Sequence, residues 1–254
     1  MSSGRLANPW TKLRPEPRFV LDEDLMYVDA FNALLDQDED RAKSKASRDG
    51  LDWKSREPFQ LKTDLPPVPF AGFHNAPVVI LAANPSWSDK SLIEDVNPPG
   101  LDIIMGGIQT PGGTSFWPLL DSPATSSAFD WWGPRTRELR DAVGDDELVV
   151  NGLMVVELHG YRSQSWAAPW INFPSQAFSF QLVRDAIERE AIIVIAKCRR
   201  YWLGSVPELR THPRLHVVEG LASTQNAALS SKNLRPENFD LLVRQFQHKN
   251  PWQR

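Results

Sequence analysis

The sequence contains almost no cysteine: Cys198 is the single one among 254 residues. One cysteine excludes an internal disulfide, a cysteine-based zinc cluster and an iron–sulfur cluster. Disulfide-free chains are typical of reducing compartments, so we predict a cytoplasmic location.

Long apolar runs and several well-known motifs are also missing. Residues 1–10 lack the apolar stretch of a signal peptide, and no run approaches the roughly 20 residues that span a bilayer, so we expect no membrane partner. The sequence has no Walker loop, no G-x-G-x-x-G, no H-E-x-x-H and no G-x-S-x-G. These absences argue against a nucleoside triphosphatase, a dinucleotide enzyme, a zinc protease and a typical α/β-hydrolase. We predict neither a cofactor nor a metal.

The residues that are present suffice for a folded core. The chain is 41% hydrophobic and 24% charged, and it has ten tryptophans and 21 prolines, many of them outside the apolar runs. That distribution indicates ordered, packed loops. We predict an N-terminal arm with one helix and a charged connector over residues 1–70, followed by a single α/β domain over residues 71–254. Trp10 and Phe19 are candidate anchors of the arm.

Charge is unevenly distributed along the chain. Residues 71–196 carry 7 basic and 15 acidic groups, net −8, whereas residues 197–254 carry 10 and 4, net +6. The basic segment could hold phosphates if its charges share a face, or it could be an ordinary solvated surface. Both readings stay open.

Apolar runs alternate with helical patterns along the chain. We predict four strands (Val78–Ala83, Leu148–Leu158 with a kink at Gly152, Ala191–Ala196 and Leu215–Glu219) and four main helices (Asp22–Asp36, Gly133–Val143, Gln176–Glu190 and Asn238–Gln247). Residues 84–115 read as a long loop, and loops of that length are usually functional. Strands that alternate with helices predict an α/β fold with a mostly parallel sheet and right-handed crossovers.

The first strand stops abruptly at Asn84-Pro85-Ser86. In open α/β sheets ligands bind outside the carboxyl ends of the strands, so we expect the polar loops after the first, second and last strands to meet there. Asn84 precedes a proline, which restricts its backbone and aims its amide. Asp89 is a candidate general base or water-positioning group, or it favours the dipole of a following helical turn.

The second loop carries Glu157, His159, Tyr161, Arg162 and Ser163. Strand alternation predicts Glu157 and His159 on one face, where the pair could perform acid–base chemistry. Arg162 could bind a phosphate. The alternative is a structural ion pair or hydrogen bond that pins the loop.

The remaining candidates lie in two other loops. Residues 223–233, with Asn226, Ser230 and Lys232, suit close approach to a phosphate backbone, or they form a helix-capping loop. Phe116 and Trp117 follow Gly112-Gly113 and could stack on a base. For Trp131 and Trp132 we favour positions in the hydrophobic core over a role in base stacking.

The motif set resembles the uracil-DNA glycosylase superfamily, chiefly its mismatch-specific and single-strand-selective branches. The matching residues are strand-Asn84-Pro85-Ser86, then Ser115-Phe116-Trp117, then Asn226-Ala227-Ala228 with Leu229-Ser230, over roughly residues 77–235. Ser86 stands where the family has glycine, and Ala227-Ala228 stand where it has Pro-Ser. The resemblance implies a three-layer α/β/α sandwich around a short, mostly parallel sheet. It also implies that Asn84 positions a water, Phe116 stacks on a flipped base, and Asn226 stabilises the leaving base or contacts a phosphate.

Three functions follow from these observations. The first is a glycosylase-like protein that binds a nucleobase or nucleic acid and hydrolyses an N-glycosidic bond. The second is a non-catalytic nucleotide- or nucleic-acid-binding module, and the third is a small-metabolite hydrolase that uses Glu157, His159 and Asp89. The candidate catalytic residues are Asn84, Asp89, Glu157 and His159; the candidate ligand-binding residues are Pro85, Ser86, Trp87, Phe116, Trp117, Tyr161, Arg162, Ser163, Asn226, Ser230 and Lys232.

Overall fold

A five-stranded sheet organises the protein. The computed structural model describes residues 6–14, 18–35, 57–120, 125–166, 172–218 and 228–247. The strands are β1 (Phe70–Ala71), β2 (Val78–Leu81), β3 (Leu153–Val156), β4 (Ile192–Ile195) and β5 (Leu215–Val217). Their order is β1-β3-β2-β4-β5, with β1 antiparallel to β3 and every other pair parallel. The prediction of an α/β fold with a mostly parallel sheet is confirmed.

Helices connect the strands and flank the sheet. The helices within the described residues are α1 (Leu25–Leu35), α2 (Ser91–Glu94), α3 (Gly100–Gln109), α4 (Ser126–Val143), α5 (Asp146–Gly152), α6 (Gln176–Glu188), α7 (Arg199–Ser205), α8 (Ser231–Leu234) and α9 (Pro236–Gln247).

The central strands are apolar throughout because both faces of the sheet are covered. All four residues of β2 are buried, and they pair with β3 on one side and β4 on the other. Val79 and Leu81 belong to one core cluster, which also contains residues of α1 and α6. Val78 and Ile80 belong to a second cluster, which contains residues of α4 and α9.

The N-terminal arm packs on the first of these clusters. Trp10 is 1% exposed and Phe19 is 8% exposed, so both predicted anchors are buried. Val28 and Phe31 of α1 lie in the same cluster as β2. The predicted boundary at residue 70 falls within β1.

Two predictions of local structure were wrong. Residues 148–152 are helical, because the Asp145 carboxylate caps α5 by accepting hydrogen bonds from the backbone N–H groups of Glu147 (2.9 Å) and Leu148 (3.4 Å). Residues 84–115 are not one continuous loop, since they contain α2 and α3, and Ile104 and Ile108 of α3 are buried. The other predicted elements exist with shifted ends. Of these ends, Asp36 and Glu219 lie outside the described residues.

Candidate functional site

A cavity of about 360 Å³ opens at the carboxyl ends of the parallel strands. Its lining includes Asn84–Ser88 after β2, Glu157 and 162–164 after β3, and Lys197 after β4. β2 and β4 are neighbours, and their connections lead to β3 on one side and β5 on the other. This is the topological switch point at which open α/β sheets bind ligands.

The walls of the cavity are strongly aromatic. Five tryptophans among the described residues line it: Trp87, Trp117, Trp131, Trp132 and Trp166. The buried indole N–H groups of Trp87 and Trp117 have no hydrogen-bond partner among the described residues.

Trp131 lies between two cations. The Arg135 guanidinium is 3.3 Å from the centroid of its ring, and the Lys197 ammonium is 5.1 Å from it. Arg135 also donates a hydrogen bond to the Trp131 carbonyl at 2.7 Å. Contacts of this kind orient the indole ring and increase the positive charge beside the cavity.

The Asn84 side chain is held in one orientation. Its Nδ2 donates to Ser163 Oγ at 2.8 Å and to the Pro85 carbonyl at 3.2 Å. Ser163 Oγ donates in turn to the Ser165 carbonyl at 2.8 Å, so the hydroxyl can only accept from Asn84. The Asn84 Oδ1 atom consequently has no partner among the described residues and can accept a hydrogen bond from a ligand or a water.

Arg162 is a structural residue with its guanidinium largely occupied. It donates to the carbonyls of Pro66 (2.8 Å) and Ser86 (3.3 Å) and forms an ion pair with Asp95 at 2.8 Å. The two side chains are only 5% and 3% exposed. Burial lowers the pKa of Arg162 and raises the pKa of Asp95, while their mutual attraction opposes both shifts. Arg162 therefore shapes the cavity wall through Nε and Nη1, and its Nη2 donors leave the predicted phosphate-binding role as a prediction.

Glu157 is the buried acid of the cavity. It is 6% exposed, and its Oε2 atom has no hydrogen-bond partner among the described residues. Burial raises the pKa of its carboxyl group to about 8, against the opposing charges of Lys197 and Arg162. At neutral pH Glu157 is therefore mainly a neutral carboxylic acid, which has an O–H donor as well as an acceptor oxygen.

His159 does not join Glu157, which corrects the predicted acid–base pair. The ring is 1% exposed and stacks on Trp166 with centroids 5.3 Å apart, and no hydrogen bond joins it to Glu157 in the described structure. Burial lowers the pKa of His159 to about 3. Strand alternation fails here because β3 ends at Val156, and the N–H groups of Leu158 and His159 both donate to the Ala83 carbonyl.

Two aromatic candidates are core residues outside the cavity lining. The Tyr161 hydroxyl donates to Asp24 at 2.6 Å and accepts from the Leu21 N–H at 3.3 Å, so it anchors the arm. Phe116 is fully buried with its ring edge-to-face against Trp132, 5.5 Å between centroids. Trp117, the next residue, lines the cavity instead.

The remaining polar candidates also lie away from the cavity lining. Asp89 is exposed in the turn before α2. Ser230 is the N-cap of α8, accepting from the Asn233 N–H at 3.3 Å, and Lys232 is exposed. The described part of this loop thus matches the helix-capping alternative. Asn226 lies outside the described residues.

Several lining residues were not among the predicted site residues: Asp130, Trp131, Trp132, Gln164, Trp166 and Lys197. Lys197 could have been predicted in the same way as Asn84 and Glu157, because it also follows a buried parallel strand. Trp131 and Trp132 had no such signal, since α4 reaches the cavity only through tertiary packing.

Two generic features are missing from the part of the chain that the structure describes. It has no group of three or more His, Cys, Asp or Glu side chains placed to hold a metal ion. None of its helices is long and apolar enough to cross a membrane.

A scan against protein-family models, a search of curated proteins and a search of solved structures each gave no significant match. The resemblance to the uracil-DNA glycosylase superfamily therefore depends on the motif residues alone. The function must be argued from the chemistry of the cavity.

Proposed function

We propose that this protein binds a nucleobase in the cavity at the ends of β2, β3 and β4, on a glycosylase-like three-layer α/β/α fold. One observation carries the proposal: a cavity of about 360 Å³ at the switch point has five tryptophans in its walls, together with polar side chains that include Glu157 and Asn84. Flat walls with a few oriented polar groups suit a planar, polar heterocycle.

The size and chemistry of the cavity agree with this ligand class. Ligand cavities typically measure about 300–1,000 Å³ and combine apolar walls with a few convergent polar groups. A base that stacks on an aromatic side chain gains about 1–3 kcal/mol. The Asn84 Oδ1 atom offers an acceptor, because the Nδ2 atom of the same amide is bonded to Ser163.

The base would come from a nucleotide or from a single strand. The segment that supplies most of the lining is acidic, with a net charge of −8 over residues 71–196, which opposes tight non-specific binding to a duplex. Lys197 and Arg135, beside Trp131, supply local positive charge for a phosphate or a short strand.

The proposed reaction is hydrolysis of the N-glycosidic bond of the bound nucleotide. A water hydrogen-bonded to Asn84 Oδ1 would add to the anomeric carbon as the bond from that carbon to the base nitrogen breaks. The base would leave with the bonding electrons and take up a proton, and the water would lose one. This role for Asn84 is what the resemblance implies, and the held amide is compatible with it.

The small-metabolite hydrolase has no observation in its favour. Its three groups are separated, because Glu157 lines the cavity, His159 packs between aromatic rings and Asp89 is exposed.

The test measures binding and cleavage together. Tryptophan fluorescence should change on titration with nucleosides and with short single-stranded oligonucleotides, because five indoles surround the ligand. Glycosylase assays on single-stranded and mismatched DNA carrying uracil or damaged bases should show cleavage by the wild type. Asn84→Ala should abolish that cleavage, and the matched control Asn97→Ala should not, since Asn97 is exposed and bonds only the Ile93 carbonyl.

Each outcome has a defined meaning. Binding with cleavage that depends on Asn84 supports the enzyme. Binding without cleavage on any substrate supports the non-catalytic module. Absence of binding to every base, nucleoside and strand would reject the proposed ligand class.

A further inference from the structure

Glu157 is a carboxyl group without an ion pair in a cavity that both aromatic and polar side chains line. It lines the cavity, is 94% buried and has one enclosed oxygen, Oε2, without a hydrogen-bond partner among the described residues. A buried polar atom without a hydrogen-bond partner destabilises the folded protein. A ligand that pairs with Glu157 removes this cost, whereas a ligand that cannot pair leaves it in place.

A backbone hydrogen bond fixes the position of Glu157 in the fold. The Glu157 N–H donates to the Pro69 carbonyl at 2.9 Å, directly after β3 and beside β1. Two cations act on the Glu157 carboxyl group. One is Lys197, which follows β4 on the opposite side of β2, and the other is Arg162, which lies in the same loop as Glu157. Asp130 lines the cavity from α4 and is paired with Lys90.

Neither of the two cations, Lys197 and Arg162, forms an ion pair with Glu157 in the described structure. Arg162 uses its guanidinium on Asp95 and two carbonyls, and Lys197 lies over the Trp131 ring. A buried carboxylate without a hydrogen-bonded ion pair is disfavoured relative to the neutral acid.

We infer that Glu157 acts as a neutral carboxylic acid that selects the base: it pairs with a heterocycle edge on which one hydrogen-bond donor stands beside one acceptor. The acid O–H donates to the acceptor of the base, and the acid carbonyl accepts from its donor. This inference rests on the proposed nucleobase-binding function. It names the specificity-determining residue and the ligand edge that this residue recognises.

Two kinds of base have such an edge. In uracil, hypoxanthine and guanine an N–H lies beside a carbonyl oxygen, and in cytosine and adenine a ring nitrogen lies beside an amino group. An ionised carboxylate has acceptors only and would instead prefer two adjacent donors, as on the N1–H and 2-amino groups of guanine. The protonation state of Glu157 therefore decides which edge is bound.

The experiment compares Glu157→Gln with Glu157→Ala. Glutamine keeps the shape and places a donor beside an acceptor at every pH, so it should bind within about threefold of the wild type near neutrality. Alanine removes both groups and should lose about 10- to 100-fold in affinity, the loss expected for one or two unmade hydrogen bonds. The exposed Glu147→Gln serves as the control and should bind like the wild type.

The pH profile separates this role from a structural one. Wild-type affinity should fall at least tenfold as pH rises through about 8, because Glu157 loses its proton. The affinity of Glu157→Gln should not show this fall, and any pH dependence that remains in the variant comes from ionisation of the ligand. Uridine and cytidine are the two probes, and their relative affinity shows which of the two edges is preferred. Uridine methylated at N3 lacks the donor and should bind as weakly to the wild type as uridine binds to Glu157→Ala.

Three results would overturn the inference. They are wild-type binding that strengthens with pH, a Glu157→Gln variant as weak as Glu157→Ala, and a wild-type preference for guanosine over inosine at neutral pH. If bases bind and the Glu157 variants have no effect, this inference fails while the proposed function stands. If no base binds to the wild type at any pH, both fail.

Discussion

Arg162 connects three parts of the chain around the cavity. Its guanidinium contacts the carbonyls of Pro66 and Ser86 and the carboxylate of Asp95, and none of these groups is its neighbour in sequence. The ion pair is buried, so removing one partner leaves an uncompensated charge in a medium that solvates it poorly.

We expect Asp95→Asn to destabilise the protein by about 3–5 kcal/mol, because the Arg162 charge would then lack its counter-charge. Urea unfolding followed by tryptophan fluorescence measures the change. The matched control is Glu208→Gln, which breaks the exposed pair with Arg184 and should cost no more than about 1 kcal/mol. Equal effects of the two variants would show that burial does not set the importance of the Arg162–Asp95 pair.

At the scale of elements, the edge strand β1 depends on a close backbone approach. Gly72 follows β1 with φ of +108°, and a Cβ there would lie 2.3 Å from the Leu153 carbonyl oxygen. The adjacent segment positions Glu157, whose N–H donates to the Pro69 carbonyl. The geometry of β1 therefore affects the cavity directly.

Gly72→Ala should destabilise the protein by more than about 2 kcal/mol, since it combines a left-handed backbone with a steric clash. Gly112→Ala isolates the backbone contribution, because Gly112 has φ of +82° with open space around the position of a Cβ. Thermal unfolding of both variants gives the difference. If Gly112→Ala costs as much as Gly72→Ala, the close approach to Leu153 is not the cause.

Helix α5 shows how a cap overrides an apolar run. The segment 148–152 looks like part of a strand, yet the Asp145 carboxylate accepts from two N–H groups and the chain winds into a helix before β3 begins. Asp145→Ala should cost about 1 kcal/mol, and Asp145→Ser should recover most of it, because serine also caps helices. Chemical denaturation of the two variants tests this, and equal losses would show that the cap does not stabilise α5.

At the scale of the whole molecule, two buried groups act on stability in opposite pH ranges. Glu157 has a folded pKa of about 8 against an ordinary 4.5, so stability that is present below pH 4.5 is lost as pH rises toward 8. His159 has a folded pKa of about 3 against an ordinary 6.5, so stability that is present above pH 6.5 is lost as pH falls toward 3.

These two groups together predict maximum stability between about pH 4.5 and 6.5. Glu157→Gln should remove most of the decline on the alkaline side, an effect of at most about 5 kcal/mol at about 1.4 kcal/mol per pH unit. His159→Phe keeps the aromatic contact with Trp166 and should remove much of the decline on the acid side. Urea unfolding over a pH series measures both, and an unchanged profile in either variant would contradict the corresponding assignment.

Much of the site could be located from the sequence because a buried parallel strand and its carboxyl end are local features. Asn84, Glu157 and Ser163 all follow apolar runs, and the structure places all three on one cavity. His159 could not be placed in this way, because the alternation that predicts its face stops where β3 stops. Trp131 and Trp132 could not either, because only the packing of α4 against the sheet brings them to the cavity.

The α/β class, the parallel strands and the loops that bear the site follow from local sequence patterns, because apolar runs and strand ends are set by neighbouring residues. Which of those polar residues remain chemically available depends on contacts that form on folding. Arg162 bonds to Asp95 and two carbonyls, His159 is enclosed by aromatic rings, and Glu157 has a pKa raised by burial and an Oε2 atom without a hydrogen-bond partner in the described structure. Hydrogen bonding and ionisation depend on burial by groups that are distant along the chain, and only folding brings those groups together.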